Sequence, residues 1–166
     1  MIILGIDPGL AIIGWGAVKY DGARFQTLGY GSIQTPAGIP TEERLAMIYS
    51  GMCQLIETYR PDQMAVEELF FNTNITTGIR VAEARGVILL AARQKDVKIS
   101  EYTPLQVKQS VVGFGRAEKK QVIAMVTMLL NLPKPPKPDD TADALAIAIC
   151  HAHSGCSKIA SYYNQK

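Results

Sequence analysis

The chain has 166 residues and 48% of them are apolar. That suits one domain with a full core and argues against a disordered chain. The formal net charge is +2, and no apolar run reaches the ~18 residues of a membrane-spanning helix. The opening Met1-Ile2-Ile3-Leu4-Gly5 lacks a basic segment and is not expected to be a secretory leader. Cys53, Cys150 and Cys156 are an odd set without close metal-type spacing. They point to a reducing compartment, expected to be the cytoplasm, and to no disulfide framework. The small net charge hides a division. Residues 1–83 carry five Lys/Arg against nine Asp/Glu, and residues 84–166 carry twelve against six. The basic second half hints at an anionic partner, although a solvated surface of uneven charge accounts for the counts as well.

Residues 1–6 are apolar and β-branched, which predicts a central strand, broken by Asp7-Pro8-Gly9. Residues 12–19 and 25–33 predict two more strands around an Asp21-Gly22 hairpin turn. Thr41–Tyr59 places Leu45, Ile48, Met52, Leu55, Ile56 and Tyr59 at helical spacing, with Thr41 as the expected cap. Arg60-Pro61-Asp62 ends that helix. Gln63–Glu67 is a fourth strand, 74–94 a long helix and 97–102 a fifth strand. Thr103-Pro104 starts a helix with proline at its first position. Residues 117–130 are helical, and 132–138 hold four prolines, a stiff spacer. The last helix runs from Asp139 or Asp140 to about 153, with Leu145, Ile149 and Cys150 on its buried face. Residues 1–155 form the expected single domain and 156–166 a flexible tail. A meander followed by alternating strands and helices predicts an α/β architecture, a five-stranded mixed sheet with helices on both faces.

Four carboxylates stand out. Asp7 ends the first strand, Glu67 ends the fourth, and Asp140 and Asp143 share one face at the start of the last helix. If the first strand pairs with the fourth, these acids meet in an all-oxygen site for a hard divalent cation. Singly, each has a plain explanation. Asp7 can initiate a turn. Glu67 is matched by Glu68 as a strand-end acid. Asp139, Asp140 and Asp143 suit a helix N-terminus. Jointly they are harder to dismiss, because converging acids without interleaved bases repel one another. Two metal ions in such a site can activate water and stabilise a leaving oxygen. Elsewhere, Gly9 and Gly14 could cradle phosphate. Gly113-Phe114-Gly115 reads as a mobile loop among Lys108, Arg116, Lys119 and Lys120, which could meet a nucleic-acid backbone. Phe70 and Phe71 beside a polar loop could stack on a base. His151 and His153 are expected to be structural. Gly86 offers close helix packing or a subunit contact.

Together these segments resemble the RuvC family of bacterial Holliday-junction resolvases. The resemblance rests on Ile3-Leu4-Gly5-Ile6-Asp7-Pro8-Gly9 with Gly14-Trp15-Gly16, on Ala65-Val66-Glu67 with Phe70, and on Ala84-Arg85-Gly86-Val87. It continues through Val107-Lys108-Gln109, Val111-Val112-Gly113, Ala117-Glu118-Lys119 and Asp140 to Ala148. It implies a ribonuclease-H-like fold, a homodimer, and paired symmetric incision of four-way DNA junctions in recombination and repair. It implies Mg²⁺ as cofactor, two ions per active site with Mn²⁺ as a substitute, and hydrolysis to 5′-phosphate ends. Asp7, Glu67, Asp140 and Asp143 match the family's metal-binding acids, Lys108 and Lys119 its DNA-contacting lysines, and Phe70 its junction-stacking aromatic. Phe71 is an additional aromatic relative to some members. Some members carry His at the position of Asp140. The branch-migration helicase complex of the same pathway is an implied partner. Rival readings are an actin-like ATPase, for which the chain lacks a second lobe, a junction-binding protein without catalysis, and an RNA nuclease of the same fold.

Overall fold

The computed structural model describes residues 1–69 and 75–155. The expected aromatic pair Phe70 and Phe71 and the expected tail 156–166 lie outside the described residues. Strands β1 (Ile2–Asp7), β2 (Ile12–Tyr20) and β3 (Phe25–Gln34) form the antiparallel meander. Helix α1 (Thr41–Tyr59) then leads to β4 (Gln63–Glu67), α2 (Ile75–Gln94) and β5 (Lys98–Tyr102). Helices α3 (Pro104–Val112), α4 (Lys119–Leu129) and α5 (Asp139–Gly155) complete the domain. The sheet order is β3-β2-β1-β4-β5, with β4 parallel to both β1 and β5. The expected five-stranded mixed α/β sheet is therefore present, and β1 is its centre.

Alternation along the strands divides two cores. Leu4 and Ile6 of β1, Ile13 and Ala17 of β2, and Met64 and Val66 of β4 face α1 and α2, against Ile48, Met52, Ile56 and Ile88. Ile3, Val18 and Ala65 face the other way, toward α3, α4 and α5. Each large aliphatic side chain withdrawn from water contributes about 1.5–3 kcal/mol. By the same parity Asp7 and Glu67 end their strands on the α5 side of the sheet.

α5 departs from the expected single buried face. Every residue from Ala144 to Ala152 is buried. The helix is enclosed between the sheet on one side and α3 and α4 on the other, which is where a helix apolar on all sides belongs. Glycines set its distance from the sheet. A Cβ at Gly5 would stand 2.1 Å from the Ala144 carbonyl oxygen, and one at Gly14 2.0 Å from the Asp140 carbonyl oxygen. At Gly16 it would stand 2.4 Å from Leu145 Cδ2. Gly14 is therefore a packing position, not a phosphate cradle. At Gly9 the Cβ would meet the Ile12 carbonyl at 2.3 Å, which fits tight turn geometry.

Element boundaries differ in detail. Thr41 is already helical and Pro40 takes the N-cap without a side-chain bond, since its carbonyl accepts from the Arg44 N–H at 3.2 Å. α4 starts at Lys119 instead of 117, because Ala117 is buried in the connecting loop and Glu118 caps the helix, its N–H donating to Gln121 Oε1 at 2.8 Å. α3 starts as expected: Gln106 N–H donates to Thr103 Oγ1 at 3.2 Å and Thr103 N–H to Gln106 Oε1 at 2.8 Å.

Because a methyl group at Gly5 meets backbone that cannot step aside, Gly5→Ala is expected to cost about 1–3 kcal/mol. Calorimetry should show the thermal midpoint falling by roughly 2–4 °C for each kcal/mol lost.

Candidate active site

Asp7 and Glu67 are the last residues of neighbouring parallel strands, continuing the register that pairs Ile6 with Val66. Ligands of open α/β sheets gather outside such carboxyl ends. Parity separates Glu67 from Glu68. Glu67 shares the α5-facing side with Ala65, while the Glu68 N–H is spent on the Tyr102 carbonyl at 2.9 Å. Arg85 fixes the strand end. Its Nε donates to the Glu67 carbonyl oxygen at 3.3 Å and its guanidinium pairs with Glu101 at 2.5 Å. Reasoning from sequence assigned Arg85 no role of its own. A basic residue midway along the helix that follows the acid's strand was the available signal.

α5 brings the remaining acids. Its first turn carries Asp139 and Asp140, and Asp143 follows on the same side. The Asp140 backbone rests on Gly14, which pairs with Asp7. A cleft of about 280 Å³ is lined by Asp7, Glu67 and Asp143, facing Lys108 and Lys119 over Pro104, Val107 and Val122. Asp140 stands outside the lining, yet its charge acts on both Asp7 and Asp143. The structure thus brings together Asp7, Glu67, Asp143, Lys108 and Lys119, with Asp140 at the margin. Arg116 is exposed on the α3–α4 loop and Lys120 on the first turn of α4, away from the cleft lining.

The acids are not free of bases. Lys119 Nζ stands 3.0 Å from Asp143 Oδ2 and 3.9 Å from Asp139 Oδ2. Even so, electrostatic strain is large. Burial, then the charges of Glu67, Asp143 and Asp140, push the Asp7 carboxyl up to about 8. Burial and then Asp143 push Glu67 up to about 7, against the pull of Lys108 and Lys119. Burial also raises Asp143, outweighing its Lys119 partner. Burial alone would lower Lys119, but its hydrogen bond to Asp143 and the surrounding acids leave it raised.

Among the described residues no three His, Cys, Asp or Glu side chains already close into a coordination shell. The donor set nonetheless fits a hard divalent cation, since it is oxygen-only, partly shielded from water and repelled by its own charge. His151 and His153 lie elsewhere on α5, bonded to Tyr102 Oη at 2.8 Å and Ser110 Oγ at 3.2 Å, in the structural roles expected.

Carboxylates at the ends of adjacent central strands, completed by a helix crossing the sheet and faced by lysines, define a nuclease of the ribonuclease-H-like fold. The family model described as crossover junction endodeoxyribonuclease RuvC matches residues 3–151. Relatives of that description from Alkaliphilus metalliredigens and Alkaliphilus oremlandii are 61% and 60% identical, each over 93% of this chain and 94% of the relative. The structure of T. thermophilus RuvC in complex with Holliday junction substrate superposes with a TM-score of 0.90 at 37% identity, over 94% of this chain and 95% of that one. The chain belongs to the RuvC family of crossover junction endodeoxyribonucleases.

The raised Asp7 makes stability depend on pH. Its contribution is fully present below the ordinary value of 3.8 and is lost as pH rises through about 8. With chelator present, the thermal midpoint should therefore fall from pH 6 to pH 9. Asp7→Asn should flatten that slope and raise stability at pH 8 by on the order of 2 kcal/mol. Thermal unfolding across the pH series measures both.

Proposed function

We propose that the chain resolves four-way DNA junctions by paired symmetric nicks, as a homodimer whose two sites each hold two Mg²⁺ ions. Asp7, Glu67, Asp140 and Asp143 would hold the ions, with Mn²⁺ an acceptable substitute. The observation that carries this reading is the cleft in which half-buried, mutually repelling acids face Lys108 and Lys119. The junction substrate bound by the Thermus relative supports the choice of DNA.

When bound, Mg²⁺ supplies positive charge to the phosphodiester oxygens and acidifies water. The chain's own residues do the rest. Burial at the strand ends keeps the acids in a water-poor site where charge acts strongly. Arg85 holds the Glu67 backbone against drift. Lys119 neutralises Asp143 at 3.0 Å. With the acids holding a cation, that ammonium would be available to a backbone phosphate, beside Lys108. Products are a 5′-phosphate and a 3′-hydroxyl. Phe70 and Phe71 stack at the junction, Arg116 and Lys120 extend the phosphate contacts, and residues 156–166 serve as a tail to the 1–155 nuclease domain.

The dimer reading rests on the outer face of α2. Ile79 and Leu90 there are 52% and 51% exposed, and a Cβ at Gly86 would meet nothing within 4 Å. These three positions recur at helical spacing and make an apolar stripe that a second copy can cover. The branch-migration helicase complex is the proposed partner and the cytoplasm the proposed compartment. Among the described residues no helix is long and apolar enough to cross a membrane.

A synthetic four-way junction, a plain duplex and an RNA–DNA hybrid, each with Mg²⁺ or chelator, test the activity. Symmetric nicks on the junction alone, dependent on Mg²⁺ and lost in Asp7→Asn while junction binding persists, are expected. Equal cutting of the hybrid contradicts the reading. For assembly, Ile79→Glu with Leu90→Glu should give monomers by light scattering, and an unchanged dimer rejects the α2 interface.

A further inference from the structure

The α3–α4 loop carries an aromatic residue that the catalytic reading leaves unused. Phe114 is 48% exposed and Leu105, on the first turn of α3, is 59% exposed. Single exposed apolar side chains are ordinary. These two belong to one patch because the loop folds back on the start of its own helix. A Cβ at Gly115 would stand 2.2 Å from Leu105 Cδ1 and 3.7 Å from the Leu105 carbonyl oxygen. Leu105 adjoins Pro104, which lines the acidic cleft. The loop that carries Phe114 therefore packs, one residue further on, against the helix turn whose Pro104 lines that cleft.

Its presentation is built in on both sides. Gly113 closes α3 at φ +93°, a conformation that favours glycine, with its N–H bonded to the Gln109 carbonyl at 2.9 Å. At Gly115 a side chain would have to displace the exposed Leu105 side chain. After the loop, Ala117 enters the core in place of Phe114. The surrounding charge is mainly positive. Lys108 lines the cleft, and Arg116, Lys119 and Lys120 are exposed on the loop and α4, with Glu118 the acid among them. Among the described residues Lys108, Arg116 and Lys120 form no ion pair. An exposed ring set among unpaired cations is the arrangement that grips phosphates and offers a face to a base.

We propose that Phe114, on the loop packed against Leu105, stacks on a nucleobase of the junction near the point where strands exchange, and so helps to determine which junctions are cut. This rests on the reading of the chain as a junction nuclease, and its contact is separate from the one expected of Phe70 and Phe71.

The test uses a four-way junction with 2-aminopurine at the exchange point, titrated with the full chain in chelator so that the strands stay intact. Phe114→Ala should weaken junction binding about tenfold. It should lose most of the 2-aminopurine quench while keeping the thermal midpoint and the salt dependence of the parent. Phe114→Trp should restore both affinity and quench. Arg116→Ala should instead lower the salt slope by about one. Phe114→Ala binding within about twofold of the parent, with the quench intact, overturns the assignment while leaving the nuclease reading standing. Unchanged junction binding with an altered oligomeric state gives the patch to a second copy and overturns it too. A parent protein that binds the junction no better than duplex contradicts the underlying reading and removes this one with it.

Discussion

The close seat of α5 on the sheet is the contact on which the rest of the structure depends. Gly5, Gly14 and Gly16 present bare backbone to the helix, and Ala144, Ala148 and the Asp140 carbonyl come down onto it. A methyl group at Gly5 or Gly14 would stand about 2 Å from a helix carbonyl, inside any tolerable contact. The small residues of α5 answer the glycines of β1 and β2. Leu145, Ile147 and Ile149 then fill the space toward the rest of the core. With α3 and α4 packed on its far side, the helix has no free face along Ala144–Ala152. Its N-terminal acids are therefore fixed against the strand-end acids by packing and not by their own attraction.

That rigidity is needed because the acids oppose it electrostatically. Asp7 pushed up to about 8 and Glu67 to about 7 mean that the fold holds charge where charge is unfavourable. A fold can tolerate such local conflict when its surroundings over-determine the geometry, and such conflicts concentrate at functional sites. Lys119 relieves part of the strain through Asp143. Because that lysine lies on α4 and not on the sheet, the relief can be withdrawn without disturbing the strands. The same cleft can thus serve two kinds of positive charge, one supplied by the protein and one brought with the cofactor.

Much of this was legible in the sequence. The meander and the alternation of elements were legible, the pairing of β1 with β4 stood only as a condition that the sheet meets, and the ends of β1 and β4 followed from short apolar runs. Asp7 and Glu67 stood out as acids that close short apolar runs, and the pleat of the observed strands then puts them on the side of Gly5 and Ala65. Other features depend on contacts between distant segments, which local pattern does not encode. Gly14 looked like a turn or phosphate glycine because its neighbour, Asp140, is far along the chain. α5 looked one-faced because its second covering, α3 and α4, is invisible to periodicity. Lys119 read as a DNA-contacting base, and nothing local showed that it also pairs with Asp143. Arg85 was quoted only within a family motif, and its place midway along the helix after β4 was a signal left unused. The resemblance to RuvC chose Glu67 over Glu68 before strand register could. For Asp140 over Asp139 the structure adds the seat on Gly14 and leaves Asp139 facing Lys119 and Lys137.

The central claim is that packing holds these carboxylates together against their own charge until a divalent cation relieves them. Calorimetric titration of the chain with Mg²⁺ near pH 7, in buffers of different ionisation enthalpy, tests it directly. Since metal binding requires deprotonated ligands, the account predicts release of on the order of one proton per site. The observed heat should then change with the buffer, and the dependence should shrink in Asp7→Asn to the part that Glu67 supplies. Heat of binding that is the same in every buffer would contradict the account.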